Sequence, residues 1–125
     1  MGKSDFAEEV KKRTKQFALR SLRLYKSLPK NPEAQVIGKQ LFRSASSMAS
    51  NYRAVCRARS DAEFYSKLSI VVEEADEAMF WLEMLVEGEI IKKEKLEDLL
   101  KEGNEILSIV SSSRKTIRNR INPIL

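Results

Sequence analysis

Three glutamates, Glu73, Glu74 and Glu77, form the spacing E-E-x-x-E, the pattern in this chain that comes nearest to catalytic chemistry. On a helix, this spacing places carboxylates at neighbouring positions of one side. Carboxylate oxygens are preferred ligands of magnesium, and a bound magnesium ion can polarise a phosphate or activate a water molecule. The first question is therefore whether these acids serve a magnesium-dependent reaction.

All-α nucleotide pyrophosphohydrolases hold magnesium with such a pattern and follow it with a later E-x-x-D. The later candidates in this chain, Glu94–Glu97 and Glu102–Glu105, both end in glutamate instead. An acidic helix also produces the E-E-x-x-E spacing by chance. A magnesium-dependent nucleotide pyrophosphohydrolase is therefore a minor alternative, beside the interpretation that the three acids pair with arginines of neighbouring helices.

Other catalytic groups are scarce. The chain has no histidine and so lacks the usual general base and the common zinc ligand. Its single cysteine, Cys56, has no second thiol with which to form a disulfide or a redox pair. No glycine-rich phosphate loop is present. These observations predict a protein that is not an enzyme and that needs no cofactor or metal.

Capping residues and turns divide the chain into four helices, at about 4–28, 32–58, 61–87 and 92–119. Ser4 can cap the first helix, Asn31 precedes Pro32, Ser60–Glu63 has the form of a capping box, and Gly88 is typical of a helix end. Apolar residues recur at three- and four-residue steps in each segment. Short loops between such helices favour antiparallel neighbours. The sequence therefore predicts one all-α domain over residues 1–125, an up-down-up-down four-helix bundle.

Positive and negative charges are separated along the chain. Residues 1–60 contain 14 Lys and Arg against 4 Asp and Glu, residues 61–105 contain 5 against 14, and residues 106–125 contain 4 and no acid. Such blocks neutralise each other on folding or leave a basic surface for a polyanion. The lone cysteine, together with the lack of a long apolar run or apolar leader, predicts a cytoplasmic protein without membrane association.

Cations and hydroxyls form one stripe along the second helix. Its members follow at steps of four and three residues and are Lys39, Arg43, Ser46, Ser50, Arg53 and Arg57. Such a stripe suits phosphate oxygens, which require charge but no base-specific geometry. With the cations of the first and fourth helices included, the candidate nucleic-acid contacts are Lys11, Lys12, Lys15, Lys39, Arg114 and Arg118.

The arginines of the second helix have an alternative partner in the acids of the third. In that interpretation the loss of an arginine–glutamate ion pair lowers the stability of the fold rather than the affinity for RNA. The predicted structural network comprises Arg43, Ser47, Asn51, Arg53, Arg57, Glu73, Glu74 and Glu77. We expect the polar groups of Ser47 and Asn51 to be satisfied between helices.

The third helix has more apolar residues than one bundle core needs. The surplus includes Tyr65, Val72, Met79, Phe80 and Trp81, which lie beside the main apolar stripe. Exposed aromatic residues often mark an interface, so these five are the candidate oligomer interface, with a wide core as the alternative. In the fourth helix Gly103 lies inside the apolar line, and close contact of its backbone with a neighbour would offset the lost helix propensity.

A family resemblance runs from Arg43 to Leu85. The segments that carry it are R-S-A-S-S-M-A-S-N-Y-R at 43–53, R-A-R-S at 57–60, E-F-Y-S-K-L at 63–68 and E-E-A-D-E-A-M-F-W-L-E at 73–83. The chain resembles the small bacterial four-helix bundle proteins encoded in intervening sequences of 23S ribosomal RNA genes. One departure is Ala54, where many relatives carry an acid.

The resemblance implies an architecture and a class of partner. Family members form ring-shaped homopentamers of largely unassigned function, and related accessory proteins of diversity-generating retroelements bind a reverse transcriptase and nucleic acid. We therefore expect a non-enzymatic, self-assembling bundle that binds structured RNA, a ribonucleoprotein or another nucleic-acid-processing protein. The alternative is a protein-interaction scaffold that binds no nucleic acid.

Overall fold

The computed structural model describes residues 3–123, which form four α-helices and contain no strand. The helices are α1 (Lys3–Ser27), α2 (Pro32–Val55), α3 (Asp61–Glu87) and α4 (Lys93–Ile121). Each helix packs against the next in chain order, and α4 returns to α1. The prediction of an all-α, antiparallel four-helix bundle is confirmed.

Side-chain caps set the starts of α2 and α3. The Asn31 side-chain oxygen accepts a hydrogen bond from the Ala34 backbone N–H at 2.9 Å, and the Ser60 hydroxyl oxygen accepts one from the Glu63 N–H at 3.0 Å. Each bond satisfies a donor that has no partner within the helix. The side chain of Ser4, the cap predicted for α1, lies outside the described part of the chain.

Two helices end beyond or before their predicted limits. α2 ends at Val55 rather than near Ala58, because the N–H groups of Arg57 and Ala58 donate to carbonyls three residues back. These tighter bonds form a turn after Val55 and do not continue the α-helix. α4 continues to Ile121, beyond the predicted end near residue 119.

The end of α3 depends on Glu89 rather than on glycine. Gly88 has a φ of −79°, whereas Glu89 has a φ of 59° and takes the left-handed position. The Ile90 N–H then donates to the Leu85 carbonyl at 3.0 Å, and the Glu89 N–H donates to the Val86 carbonyl at 3.0 Å. This is the Schellman pattern, shifted by one residue from the position that the sequence predicts.

The core runs the length of the bundle. Its largest fully buried apolar side chains are Phe17, Leu41, Met48, Val71, Leu68, Leu82, Leu85, Ile106 and Val110. Gly103 lies where α4 approaches α1 and α3. A Cβ atom there would lie 3.0 Å from Cε2 of Phe17 and would also collide with the Met79 sulfur. The backbone of α4 at Gly103 is therefore in close contact with side chains of the neighbouring helices α1 and α3.

No helix within residues 3–123 is both long and apolar enough to span a bilayer.

Candidate nucleic-acid interface

A positively charged groove lies between α1 and α2. Its volume is about 350 Å³, and its lining comprises Lys11, Lys15, Ala18, Ser46, Ala49, Ser50 and Arg53. Among the described residues that line it, three carry a positive charge and none is acidic. We call this feature the basic groove.

The basic groove forms because antiparallel packing sets the first half of α1 beside the second half of α2. Lys11 and Lys15 are one turn apart and share a face of α1. Lys15 and Arg53 are exposed, whereas Lys11 is half-buried. The Lys11 Nζ lies 3.4 Å from a carboxylate oxygen of Glu8, which is 68% exposed. Exposed pairs of this kind contribute little, so all three cations stay available to an anion.

The groove hydroxyls are engaged on their own helix. Ser46 donates to the Arg43 carbonyl at 3.1 Å, and Ser50 donates to the Ser47 carbonyl at 3.2 Å. This local bonding is common for serine within helices. The attraction of the groove for phosphate therefore comes from Lys11, Lys15 and Arg53 rather than from hydroxyl donors.

Arg43 belongs to a different surface. It donates to Glu74 at 3.2 Å, to Glu77 and to the Gln40 side-chain oxygen at 3.0 Å. The Trp81 indole N–H donates to the same Glu77 carboxylate at 3.3 Å. Three members of the predicted network, one arginine and two glutamates, thus meet between α2 and α3.

Arg53, Arg57 and Glu73 do not join this network. All three are exposed, and within residues 3–123 none lies within ion-pair distance of an opposite charge. The helical rotation of about 100° per residue explains the difference. Arg43 and Arg53 are about 80° apart around α2, so one leans toward α3 and the other toward α1.

Ser47 and Asn51 bond within α2 rather than between helices. The Asn51 amide donates to the Ser47 carbonyl at 2.9 Å and to the Ser47 hydroxyl at 3.2 Å. Both residues are half-buried. Their polar groups are satisfied locally because the two positions are one helical turn apart.

Arg114 is held inside the protomer. Its guanidinium donates to the Ser69 hydroxyl and the Tyr65 hydroxyl, each at 2.8 Å, and lies 4.8 Å from the centre of the Tyr65 ring. These bonds and the cation–π contact tie α4 to α3. Arg114 is therefore not the free phosphate contact that the sequence predicts. Lys12, Lys39 and Arg118 are exposed and lie outside the groove lining.

An ion pair between α1 and α4 was not among the predicted contacts. Arg13 donates to both Glu102 oxygens, at 2.9 and 2.7 Å, and to Glu105 at 3.1 Å. These bonds raise the pKa of Arg13 and lower the pKa of Glu102 from its ordinary value of 4.5. The signal in the sequence was the E-x-x-E pair at 102–105. Residues three apart lie on one side of a helix, so both carboxylates can bond to the same guanidinium group.

Removal of the Glu102 charge should cost stability only where that carboxyl is ionised. Because the folded pKa of Glu102 is lowered, its contribution is present above about pH 4.5 and is lost as the pH falls through the lowered value. We expect Glu102→Gln to lower the free energy of unfolding by about 1 kcal/mol at neutral pH, with the gap closing in acid. Urea titrations over a pH series measure the difference in unfolding free energy between the variant and the unchanged chain. A difference that stays constant with pH would contradict the ionic origin.

The five predicted interface residues differ in burial, and Trp81 is partly buried against the core. Met79 is only 5% exposed and belongs to the protomer core beside Phe17, so it is removed from the candidate interface. Tyr65 and Val72 are half-buried against that core. Phe80 is 49% exposed, and its ring meets Trp81 edge-on with the centres 4.9 Å apart. Part of the surplus apolar side chains of α3 therefore packs into or against the core, and Phe80 stays on the surface.

The carboxylates of E-E-x-x-E are arranged for ion pairing. Glu74 and Glu77 both face Arg43, and Glu73 is exposed. In the part of the chain that the structure describes, no three acidic or cysteine side chains are grouped closely enough to hold a metal ion. This arrangement favours the pairing interpretation of the motif over a magnesium site.

Comparison with known proteins agrees with this architecture. A crystal structure of a protein of unknown function from the S23 ribosomal protein family of Bacteroides thetaiotaomicron is similar to this chain, with a TM-score of 0.80 and 36% sequence identity over 87% of this chain and 97% of that one. No functionally curated protein matches. A sequence model of the 23S rRNA-intervening sequence proteins matches residues 7–112. Because that match spans most of α1 to α4, the chain belongs to the family of 23S rRNA-intervening sequence proteins.

Proposed function

We propose that this chain is a non-enzymatic, cytoplasmic bundle protein that self-associates and binds structured RNA or a ribonucleoprotein through the basic groove. The observation that carries the proposal is the grouping of Lys11, Lys15 and Arg53 around one groove whose lining, within residues 3–123, contains no acid. Phosphate oxygens are the ligands that such a site favours, because each contact releases condensed counterions.

The groove chemistry favours the phosphate backbone over the bases. Its described lining contains no aromatic residue on which a base could stack and no amide side chain that could read a base edge. Recognition would then depend on the shape of a folded RNA and the positions of its phosphates. Three cations per protomer give weak binding, and several copies in one assembly would multiply it.

Self-association is supported by the apolar residues left on the outside of α3. Ile70 is 37% exposed, Phe80 49% and Met84 38%. The three share one side of the helix, with Glu77 between them. Large apolar side chains grouped with charged neighbours are typical of subunit interfaces. A homopentamer is the assembly that the family resemblance implies.

RNA binding should depend steeply on salt. For each phosphate contact, the slope of log affinity against log salt concentration changes by about 0.7–0.9, so the groove of one protomer predicts a slope of about −2 to −3. Filter binding of a folded RNA over a salt series measures this slope. Little binding even at low salt would contradict RNA recognition and favour the scaffold.

The scaffold alternative has one observation in its favour. Arg13 and Arg43 are paired within the protomer to acids of α4 and α3, so part of the charge pattern already serves structure. A scaffold would use the remaining charges between copies only. It predicts assembly that weakens with salt and that takes place without RNA.

Phe80→Asp should dissociate the assembly. A charge at this exposed position must be desolvated in the interface, so the dissociation constant should rise at least tenfold, while the monomer keeps its helices. Sedimentation velocity over a concentration series measures it. Phe6→Asp is the matched control, because Phe6 is 46% exposed and lies on α1, toward the opposite end of the bundle. Equal effects of both changes, or a lone particle for the unchanged chain, would contradict this interface.

A further inference from the structure

A second cavity opens at the end of the bundle where α1 and α3 begin and α2 and α4 end. Its volume is about 870 Å³, and its walls include Phe6, Tyr52, Leu68, Ile109, Ser112 and Ile117. We call it the end cleft. Small-molecule sites in proteins have volumes of about 300–1,000 Å³ and mostly apolar walls. The end cleft has that size and character.

The end cleft exists because α1 and α4 are in close contact over only part of their length. Gly103 of α4 admits the Phe17 ring of α1, and the Arg13 pair with Glu102 holds the helices together nearby. Of the neighbouring helix pairs, α1 and α4 make the fewest contacts. Toward the start of α1 the space between them is lined by side chains of all four helices.

Tyr52 supplies a polar group that the protein itself does not use. The residue is 5% exposed and lines the end cleft, yet its hydroxyl has no hydrogen-bond partner among residues 3–123. Burial raises the pKa of Tyr52, so the phenol stays a neutral donor. Among the described residues, the buried side-chain oxygen that lacks a partner is that of Ser21, so the Tyr52 hydroxyl is open to the space of the cleft, where a bound acceptor would replace water.

The α4 wall of the end cleft has the same property. Ser108, Ser112 and Ser113 line it, and no hydrogen bond from their hydroxyls is present in the described residues. By contrast, Ser44, Ser46 and Ser50 of α2 all donate to carbonyls of their own helix. Several hydroxyls around one apolar cavity are thus available to a ligand.

The charges at the end cleft indicate an uncharged ligand. Asp61 and Arg120 both line it and lie 3.5 Å from each other. They are one base and one acid, so the lining carries no net charge, and no other Asp, Glu, Lys or Arg among the described residues lines the cavity. A charged ligand would lose its hydration and meet one like charge beside one opposite charge.

We infer that the end cleft binds an uncharged, largely apolar small molecule that accepts a hydrogen bond from Tyr52. This site is separate from the basic groove, shares none of its described lining residues and does not depend on RNA binding. The ligand fills the apolar walls and presents one carbonyl or ether oxygen to the phenol.

Nile red, a neutral fluorophore with a carbonyl oxygen, tests the site. We expect saturable binding to the full chain with one probe per protomer. Ser112→Trp fills the mouth of the cleft and should weaken binding at least tenfold. Ser111→Trp is the matched control, since Ser111 is exposed and does not line the cleft, and it should bind within twofold of the unchanged chain. Circular dichroism verifies that both variants are helical, and Ser108→Trp replaces Ser112→Trp if the latter fails to fold.

The role of Tyr52 is tested with two ligands of nearly the same shape that displace the probe. Tyr52→Phe should weaken the binding of acetylnaphthalene, which has a carbonyl acceptor, about three- to tenfold. The binding of ethylnaphthalene, which has none, should stay within about twofold. Equal weakening of both would overturn the hydrogen bond, and unchanged binding to Ser112→Trp would overturn the site. If the probe binds only after residues 124–125 are removed, the natural occupant of the cleft is the chain's own end. If probe binding disappears as copies associate, the occupant is a second copy.

Discussion

Simultaneous replacement of Lys11, Lys15 and Arg53 by glutamine should weaken the binding of structured RNA on the order of a hundredfold at about 0.1 M salt. The three cations are the charged lining of the basic groove. Each lost phosphate contact removes the gain from counterion release, so the salt slope should also become shallower by about 2 to 3. Filter binding over a salt series measures the affinity and the slope together.

The matched control removes the same charge elsewhere. Lys92, Lys93 and Lys95 are exposed and lie at the start of α4, away from the basic groove. Their replacement by glutamine should leave affinity within a few-fold and the slope nearly unchanged. If both triple variants lose the same affinity, the attraction is a property of net charge, and the groove is not the site.

Phe17→Ala should lower the free energy of unfolding by about 3–5 kcal/mol. Phe17 is 1% exposed, and its ring lies against Gly103 at the point where α1 meets α4. Truncation removes apolar contacts and leaves a cavity that rigid helices fill only in part. Because α1 and α4 share few other contacts, the variant should also expose the end cleft more widely.

Phe6→Ala is the control for that experiment. It removes the same side chain from the same helix at a position that is 46% exposed, so the change in unfolding free energy should stay within about 1 kcal/mol. Urea unfolding followed by circular dichroism measures both variants. A Phe17→Ala cost no larger than the Phe6→Ala cost would show that the α1–α4 contact does not support the bundle.

Local signals predicted the helices well, because they act within a few residues. The Asn31 and Ser60 caps are present where the sequence places them, since a side-chain oxygen needs only the N–H three residues on. The end of α3 shows the limit of this reasoning. Gly88 was the expected left-handed residue, yet Glu89 takes that conformation. Which of the two residues is left-handed depends on which backbone N–H groups close the last turn of α3.

The candidate site was predicted only in outline. The sequence indicated a stripe of cations on α2 and more cations on α1, and Lys11 and Lys15 do line the basic groove. It did not indicate that Arg53 would line the groove while Arg43 pairs with acids of α3, because the stripe alone does not reveal which helix lies on each side of α2. Arg114 was a candidate for the same reason, although Tyr65 and Ser69 hold it.

The sequence by itself determined four amphipathic helices, their approximate ends and a basic first half joined to an acidic middle. Those properties follow from residue order and from spacing along one helix. Only the tertiary structure decided which charges are paired, that Met79 lies in the core, and that two cavities open beside α1. These outcomes depend on where helices far apart in the chain cross, and Gly103 sets one such crossing by admitting the Phe17 ring.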